Sequence, residues 1–243
     1  MAIFKKRTKG LQAVEAANLF TVNDPSAVAT EQIKTIRTNI SFSQEAQNLQ
    51  TIMITSTVAS EGKSTIAANL AVEFAHAGKK TLLIDTDLRR STVDRTFGLH
   101  GTTKGLTSYL VHRFDELTDV IHDTEVENLS VIPSGPIPPN PAELIASQGM
   151  KDVLDQLKES FDLVIVDAPP LLPVTDGQIM ANMVDGVVLV VRQNHTLKAG
   201  VKEAKQTLEN AKANILGVVF NDVESSNDHG YYGEGYYYNN EQK

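Results

Sequence analysis

The chain has 243 residues, 30 acidic against 22 basic side chains for a net charge of −8, and no cysteine. That length fits one large α/β domain or two small ones and is enough to bury a substantial core. The negative charge argues against a general nucleic-acid binder, and the missing cysteine excludes disulfides and thiolate metal sites.

Residues 1–24 show no sustained periodicity and read as a flexible arm, basic at its start through Lys5, Lys6, Arg7 and Lys9. Over 25–43 the pattern turns helical: Val28, Ile33, Ile36 and Ile40 recur at helical spacing behind Asp24-Pro25. Short apolar bursts follow at 51–56, 81–85, 129–134, 161–167, 186–191 and 215–220, and each reads as a strand covered on both faces. Between them lie expected helices at 63–77, closed by Gly78, at 141–160 with a break near Gly149, at 175–183 and at 196–211. The alternation predicts a mostly parallel, doubly wound sheet spanning residues 25–222 as one domain. No apolar run approaches the ~20 residues that span a bilayer, so the expected setting is the cytoplasm.

Apolar content collapses beyond Asp222, and 223–243 reads as a disordered tail. Five of the six tyrosines sit there: Tyr231, Tyr232, Tyr236, Tyr237 and Tyr238. A segment so poor in aliphatic residues cannot bury them, which leaves a chemical use or weak association.

The first chemical signal lies between the strand at 51–56 and the helix at 63–77. Ser60, Glu61, Gly62, Lys63, Ser64 and Thr65 match the second half of a P-loop, although Thr57 stands where its first glycine belongs. Such a loop needs backbone N–H groups converging on phosphate at a helix N-terminus, a glycine for close approach, a lysine for the β- and γ-phosphates and a hydroxyl for Mg²⁺. A helix start that merely contains Gly-Lys-Ser is the bland alternative. Against it, "TLLIDTDLRR" ends a strand on Asp85 and Asp87, and "FDLVIVDAPP" ends another on Asp167. Three carboxylates at the ends of two buried strands call for a cation among them. A nucleotide with Mg²⁺ is therefore the expected ligand.

The segments "EGKST", "LLIDTDLR" and "VIVDAPP", with the tyrosine-rich tail, resemble the bacterial tyrosine kinases of capsule and exopolysaccharide systems, the CpsD/CapB type. The resemblance implies a P-loop NTPase-type α/β fold and transfer of phosphate from ATP to the chain's own C-terminal tyrosines in trans. It also implies Asp85 as first choice for the proton acceptor, and Ser64, Asp87 and Asp167 on the metal. Asn221 matches a position that contacts adenine in related ATPases. "EQIKTIR" resembles the family's ring-forming helix, with Glu31, Lys34 and Arg37 as the assembly residues of an expected octamer; Lys34 stands where that helix carries arginine. Partners implied are a transmembrane adaptor that recruits the kinase to the inner membrane face and a cognate tyrosine phosphatase. Arg89 and Arg90 are read as contacts for phosphate or the acidic tail, or as plain surface residues. The rival reading is a MinD/ParA-like ATPase switch that phosphorylates nothing.

Overall fold

The structure, a computed structural model, describes residues 17–42 and 49–224. In chain order it contains α1 (Phe20–Asn23), α2 (Val28–Ser41), β1 (Thr51–Ser56), α3 (Lys63–His76), β2 (Thr81–Asp85), α4 (Val93–Thr96) and α5 (Leu106–Leu110). A 3₁₀ turn (Leu117–Val120), β3 (His122–Asp123), β4 (Leu129–Ile132), α6 (Pro141–Ile145) and α7 (Gln148–Ser160) follow. The chain then runs through β5 (Leu163–Asp167), α8 (Asp176–Ala181), β6 (Gly186–Arg192), α9 (Lys198–Asn210) and β7 (Ile215–Asn221).

The seven strands form one sheet in the order β3-β4-β2-β5-β1-β6-β7, with every pairing parallel except β3 with β4. The central strands β1, β2 and β5 are buried along their whole length, as their unbroken apolar runs require. One core cluster lies on each face. Leu82, Ile84, Val164 and Val166 pack towards α7 and α9, while Ile52, Ile54, Leu83 and Ile165 pack against α2 and α3. This is the doubly wound sheet expected from the strand–helix alternation.

Strand order places the chemistry. β5 lies between β1 and β2, so the loop after β1 and the carboxylates ending β2 and β5 emerge side by side. Asp85 and Asp167 are direct register partners, and Ile54 of β1 pairs with Asp167 from the other side.

Four details differ from the expected elements. Residues 17–24, read as the end of a flexible arm, include α1 and are gripped by Asn69 of α3. Its Oδ1 accepts from the Thr21 amide (3.0 Å) and hydroxyl (2.8 Å), and its Nδ2 donates to the Asn18 carbonyl (2.7 Å) and Thr65 carbonyl (2.9 Å). The helix expected over 141–160 divides at Ala146-Ser147, ahead of Gly149. Ser147 caps α7 by accepting from the Met150 amide, so a capping serine sets the break. β4 stops at Ile132, before Pro133, because proline has no N–H to give the ladder. The two-residue β3 and the short helices between residues 93 and 120 carry too little periodicity to be read from sequence.

Candidate active site

The loop after β1 turns through Ser60 and Gly62, both with positive φ (67° and 94°), before α3 begins at Lys63. A side chain at Gly62 would be strained by that φ and would collide with the Asn221 amide, which lies 2.2 Å from where its Cβ would stand.

Three successive loop carbonyls are held from the β6–β7 side. His195 Nε2 lies 3.3 Å from the Ala59 carbonyl, Arg192 Nη1 donates to Ser60 (3.2 Å), and Asn221 Nδ2 donates to Glu61 (3.0 Å). Because a trans peptide's N–H and C=O point in opposite directions, pinning these carbonyls turns the N–H groups of residues 60–62 the other way. The first amide of α3 to find a helical acceptor is that of Ile66, bonded to the Gly62 carbonyl. The amides of 60–65 therefore form an anion cradle at the N-terminus of a 14-residue helix.

Glu61 was expected to contact the nucleotide, but its side chain turns inward. One carboxylate oxygen accepts from the Thr57 amide (2.7 Å) and the Val58 amide (3.1 Å), and the other accepts from the Thr196 hydroxyl. Glu61 is fully buried and braces the loop from behind, leaving only its backbone to the ligand. Asn221, expected at adenine, likewise uses its amide here to hold the Glu61 carbonyl.

In front of the loop, Lys63 Nζ lies 3.0 Å from Asp87 Oδ2, 3.3 Å from Asp167 Oδ1 and 3.1 Å from the Ser64 hydroxyl. All three charged residues are buried. Burial opposes the lysine's charge, yet Asp167, Asp87 and Asp85 outweigh it and hold Lys63 above the ordinary lysine range. Burial likewise pushes the Asp167 carboxyl upward, against the pull of Lys63. Among the described residues, the second oxygen of Asp167 is buried without a hydrogen-bond partner.

Asp85 sits deeper. Its Oδ1 accepts from the Asp87 amide (3.0 Å), and its Oδ2 accepts from the Ser91 hydroxyl (2.9 Å), the Thr92 amide (3.1 Å) and the Val93 amide (3.3 Å). Burial, then the neighbouring Asp167 charge, raise its pKa to about 7. Asp85 is thus fully hydrogen-bonded and titrates near neutrality, whereas Asp87 lies on the wall of the cleft.

That cleft, about 830 Å³, opens above the loop and is lined among others by Gly62, Lys63, Asp87, Arg90, Pro169 and Pro173. The proline segment is fixed against β1 and the loop: Ala168, Leu171 and Leu172 donate their amides to Ile54, Ser56 and Thr57. Among the described residues no three His, Cys, Asp or Glu side chains converge as a metal cage. A magnesium ion needs no such cage, since one or two carboxylates, a hydroxyl and substrate phosphates suffice. Ser64, Asp87 and Asp167 are the residues here that could supply such a donor set.

The residues expected to mediate assembly lie on α2. Lys34 Nζ meets Glu31 Oε1 at 2.6 Å on the surface, and Arg37 Nη1 donates to the Glu73 carbonyl of α3 (3.1 Å). Tyr231, Tyr232, Tyr236, Tyr237 and Tyr238 lie outside the described residues. No described helix is long and apolar enough to cross a membrane. The residues sequence reasoning missed are Thr196, His195 and Arg192 behind the loop, and Asp176, which grips Arg89 through both oxygens (2.8 and 3.2 Å). Their only signal was position at or after the ends of expected strands.

An AAA-domain family model matches residues 49–217. The tyrosine-protein kinase YwqD of Bacillus subtilis is 43% identical over 235 residues, covering 96% of this chain and 97% of its own. A tyrosine-protein kinase, CapB, of Staphylococcus aureus, assigned that role provisionally, is 37% identical, covering 90% and 94%. The kinase domain of the Escherichia coli tyrosine kinase ETK superposes with a TM-score of 0.80 at 32% identity, covering 96% of this chain and 88% of that one. The pinned loop, the strand-end carboxylates and these relatives agree: the chain belongs to the bacterial tyrosine-kinase family of the CpsD/CapB type, built on a P-loop NTPase fold.

Proposed function

We propose that this chain transfers the γ-phosphoryl group of ATP to tyrosine hydroxyls of its own C-terminal cluster, acting in trans between copies and regulating exopolysaccharide or capsule synthesis. The observation that carries the reading is the buried group of Lys63, Asp87 and Asp167 gathered at the N-terminus of α3. Lys63 has two anionic partners here. When phosphate takes over the lysine, Asp87 and Asp167 lose their counter-charge, and a buried unpaired charge is costly. Ser64, Asp87 and Asp167 would hold a divalent cation, which would restore neutrality and offset the charge on the phosphate oxygens.

In the transfer, the tyrosine oxygen attacks the γ-phosphorus, its bond to the β–γ bridging oxygen breaks, and ADP leaves with that electron pair. The loop amides and Lys63 hold the phosphates in line, and positioning with charge stabilisation supplies most of the acceleration. The tyrosine proton goes to Asp85, whose pKa of about 7 suits a base working near neutral pH. To take it, Asp85 exchanges one of its present donors, of which the Ser91 hydroxyl is the one free to rotate. If Asp87→Asn abolishes transfer to tyrosine while Asp85→Asn leaves it intact, Asp85 is not the base.

Glu31, Lys34 and Arg37 on α2 would join copies into a ring, the expected octamer, that presents one tail to a neighbour's cleft. A transmembrane adaptor recruits the ring to the membrane and a phosphatase resets it. An anti-phosphotyrosine blot of the full chain with ATP and Mg²⁺ tests the reading. Signal in wild type and none in Lys63→Met supports it; ATP hydrolysis with signal in neither supports the MinD/ParA-like switch.

A further inference from the structure

Among the described residues three cationic side chains line the cleft, and two of them are committed. Lys63 is held by Asp87 and Asp167. Arg89 is clamped by both oxygens of Asp176, a residue only 1% exposed. The third, Arg90, is exposed, and its guanidinium meets no carboxylate or acceptor among the described residues. Its backbone, by contrast, is fixed: the Arg90 amide donates to the Asp87 carbonyl and to Asp87 Oδ1, both at 3.1 Å. A free guanidinium is thus mounted on the residue that faces Lys63.

The same cleft is lined by Pro169, Pro170, Pro173 and Val174, all apolar. The opening therefore offers a rigid apolar surface for a ring, a phosphate cradle at its floor and one uncommitted positive charge at its rim. An incoming peptide that fits all three carries a tyrosine flanked by an anionic side chain. The chain's own tail has that chemistry: Glu234 stands two residues from both Tyr232 and Tyr236, and 225–243 holds Asp228, Glu234 and Glu241 against a single Lys243. In an extended peptide, residues two apart project on the same side about 7 Å from one another.

Building on the kinase reading, we propose that Arg90 is the specificity-determining residue of the cleft and selects tyrosines with a carboxylate two residues away. Arg90 takes no part in the transfer; it draws the flanking carboxylate and so fixes which tyrosine lies against the proline wall.

The test is fluorescence anisotropy of two labelled peptides with the full chain, one copying residues 228–241 and one carrying Glu234→Gln. Wild type and Arg90→Lys are expected to bind the acidic peptide about threefold more tightly, the range of an exposed ion pair. Arg90→Gln loses the preference, Arg90→Glu reverses it, and ADP affinity matches wild type in all of them. Equal binding of both peptides by wild type overturns the proposal. So does Arg90→Gln weakening ADP as much as peptide, which would make Arg90 a nucleotide residue. A preference that depends on Arg90 without any phosphotransfer sinks the kinase reading and leaves the recognition role standing.

Discussion

Lys63 and Asn69 lie six residues apart on α3, both polar and both buried, and their surroundings are opposite in kind. Asn69 makes four hydrogen bonds, three of which tie α1 and the preceding chain to the P-loop helix, and each of its polar groups is satisfied. Lys63 sits in an excess of negative charge, with three aspartates around it and a partnerless oxygen on Asp167. The first arrangement stabilises one packing. The second is destabilising until a ligand completes it, as sites built for charged substrates are.

Breaking the two centres should therefore separate activity from stability. Lys63→Met should lower tyrosine phosphorylation by on the order of 10²–10³-fold, the cost of deleting one preorganised charge-stabilising group, as read from initial rates of phosphopeptide formation. Asn69→Ala should cost about 2–3 kcal/mol in urea unfolding, because it leaves the Thr21 donors and the Asn18 carbonyl without their partner. Early proteolytic cleavage near α1 should accompany that loss.

A third substitution tests the frame behind the loop. Glu61→Ala removes the acceptor for the Thr57 and Val58 amides and should weaken ADP binding by roughly tenfold, about 1.4 kcal/mol, in a calorimetric titration. The smallest effect, and the most diagnostic, is expected of Asp167→Asn. It deletes a buried charge whose second oxygen bonds nothing, so the ligand-free protein should gain about 1 kcal/mol near neutral pH. The folded Asp167 keeps its proton above the ordinary carboxylate range. Wild-type stability from this group is thus full at low pH and lost as pH rises through the folded pKa, so the variant's advantage in thermal unfolding should open with rising pH. Addition of Mg·ADP should reverse the order, because only wild type then gains from the metal.

How much of this was legible in the sequence follows from how local each feature is. Lys63 could be read from spacing because a P-loop is one short segment between a strand and a helix. Asp85, Asp87 and Asp167 could be read because buried parallel strands are continuous apolar runs that end visibly. The bracing of Glu61 by Thr196 joins residues 135 apart, and Asn221 meets Glu61 across 160, so no periodicity or spacing announces either contact. Asn69 looked like one polar residue in an amphipathic helix, and its role appears only once residues 17–24 are seen folded onto α3. The capping Ser147 was visible as a residue type, but a neighbouring glycine drew the expected break two residues too late.

The central claim is that the charge cluster around Lys63 transfers phosphate to tyrosine. Phosphosite mapping by mass spectrometry tests it most directly, on dephosphorylated full chain incubated with ATP and Mg²⁺, alone and with the cytoplasmic segment of a candidate membrane adaptor. The account predicts phosphate on tyrosines within 231–238 in wild type and none in Lys63→Met. ATP turnover without phosphotyrosine, or the same sites filled in both proteins, would contradict it.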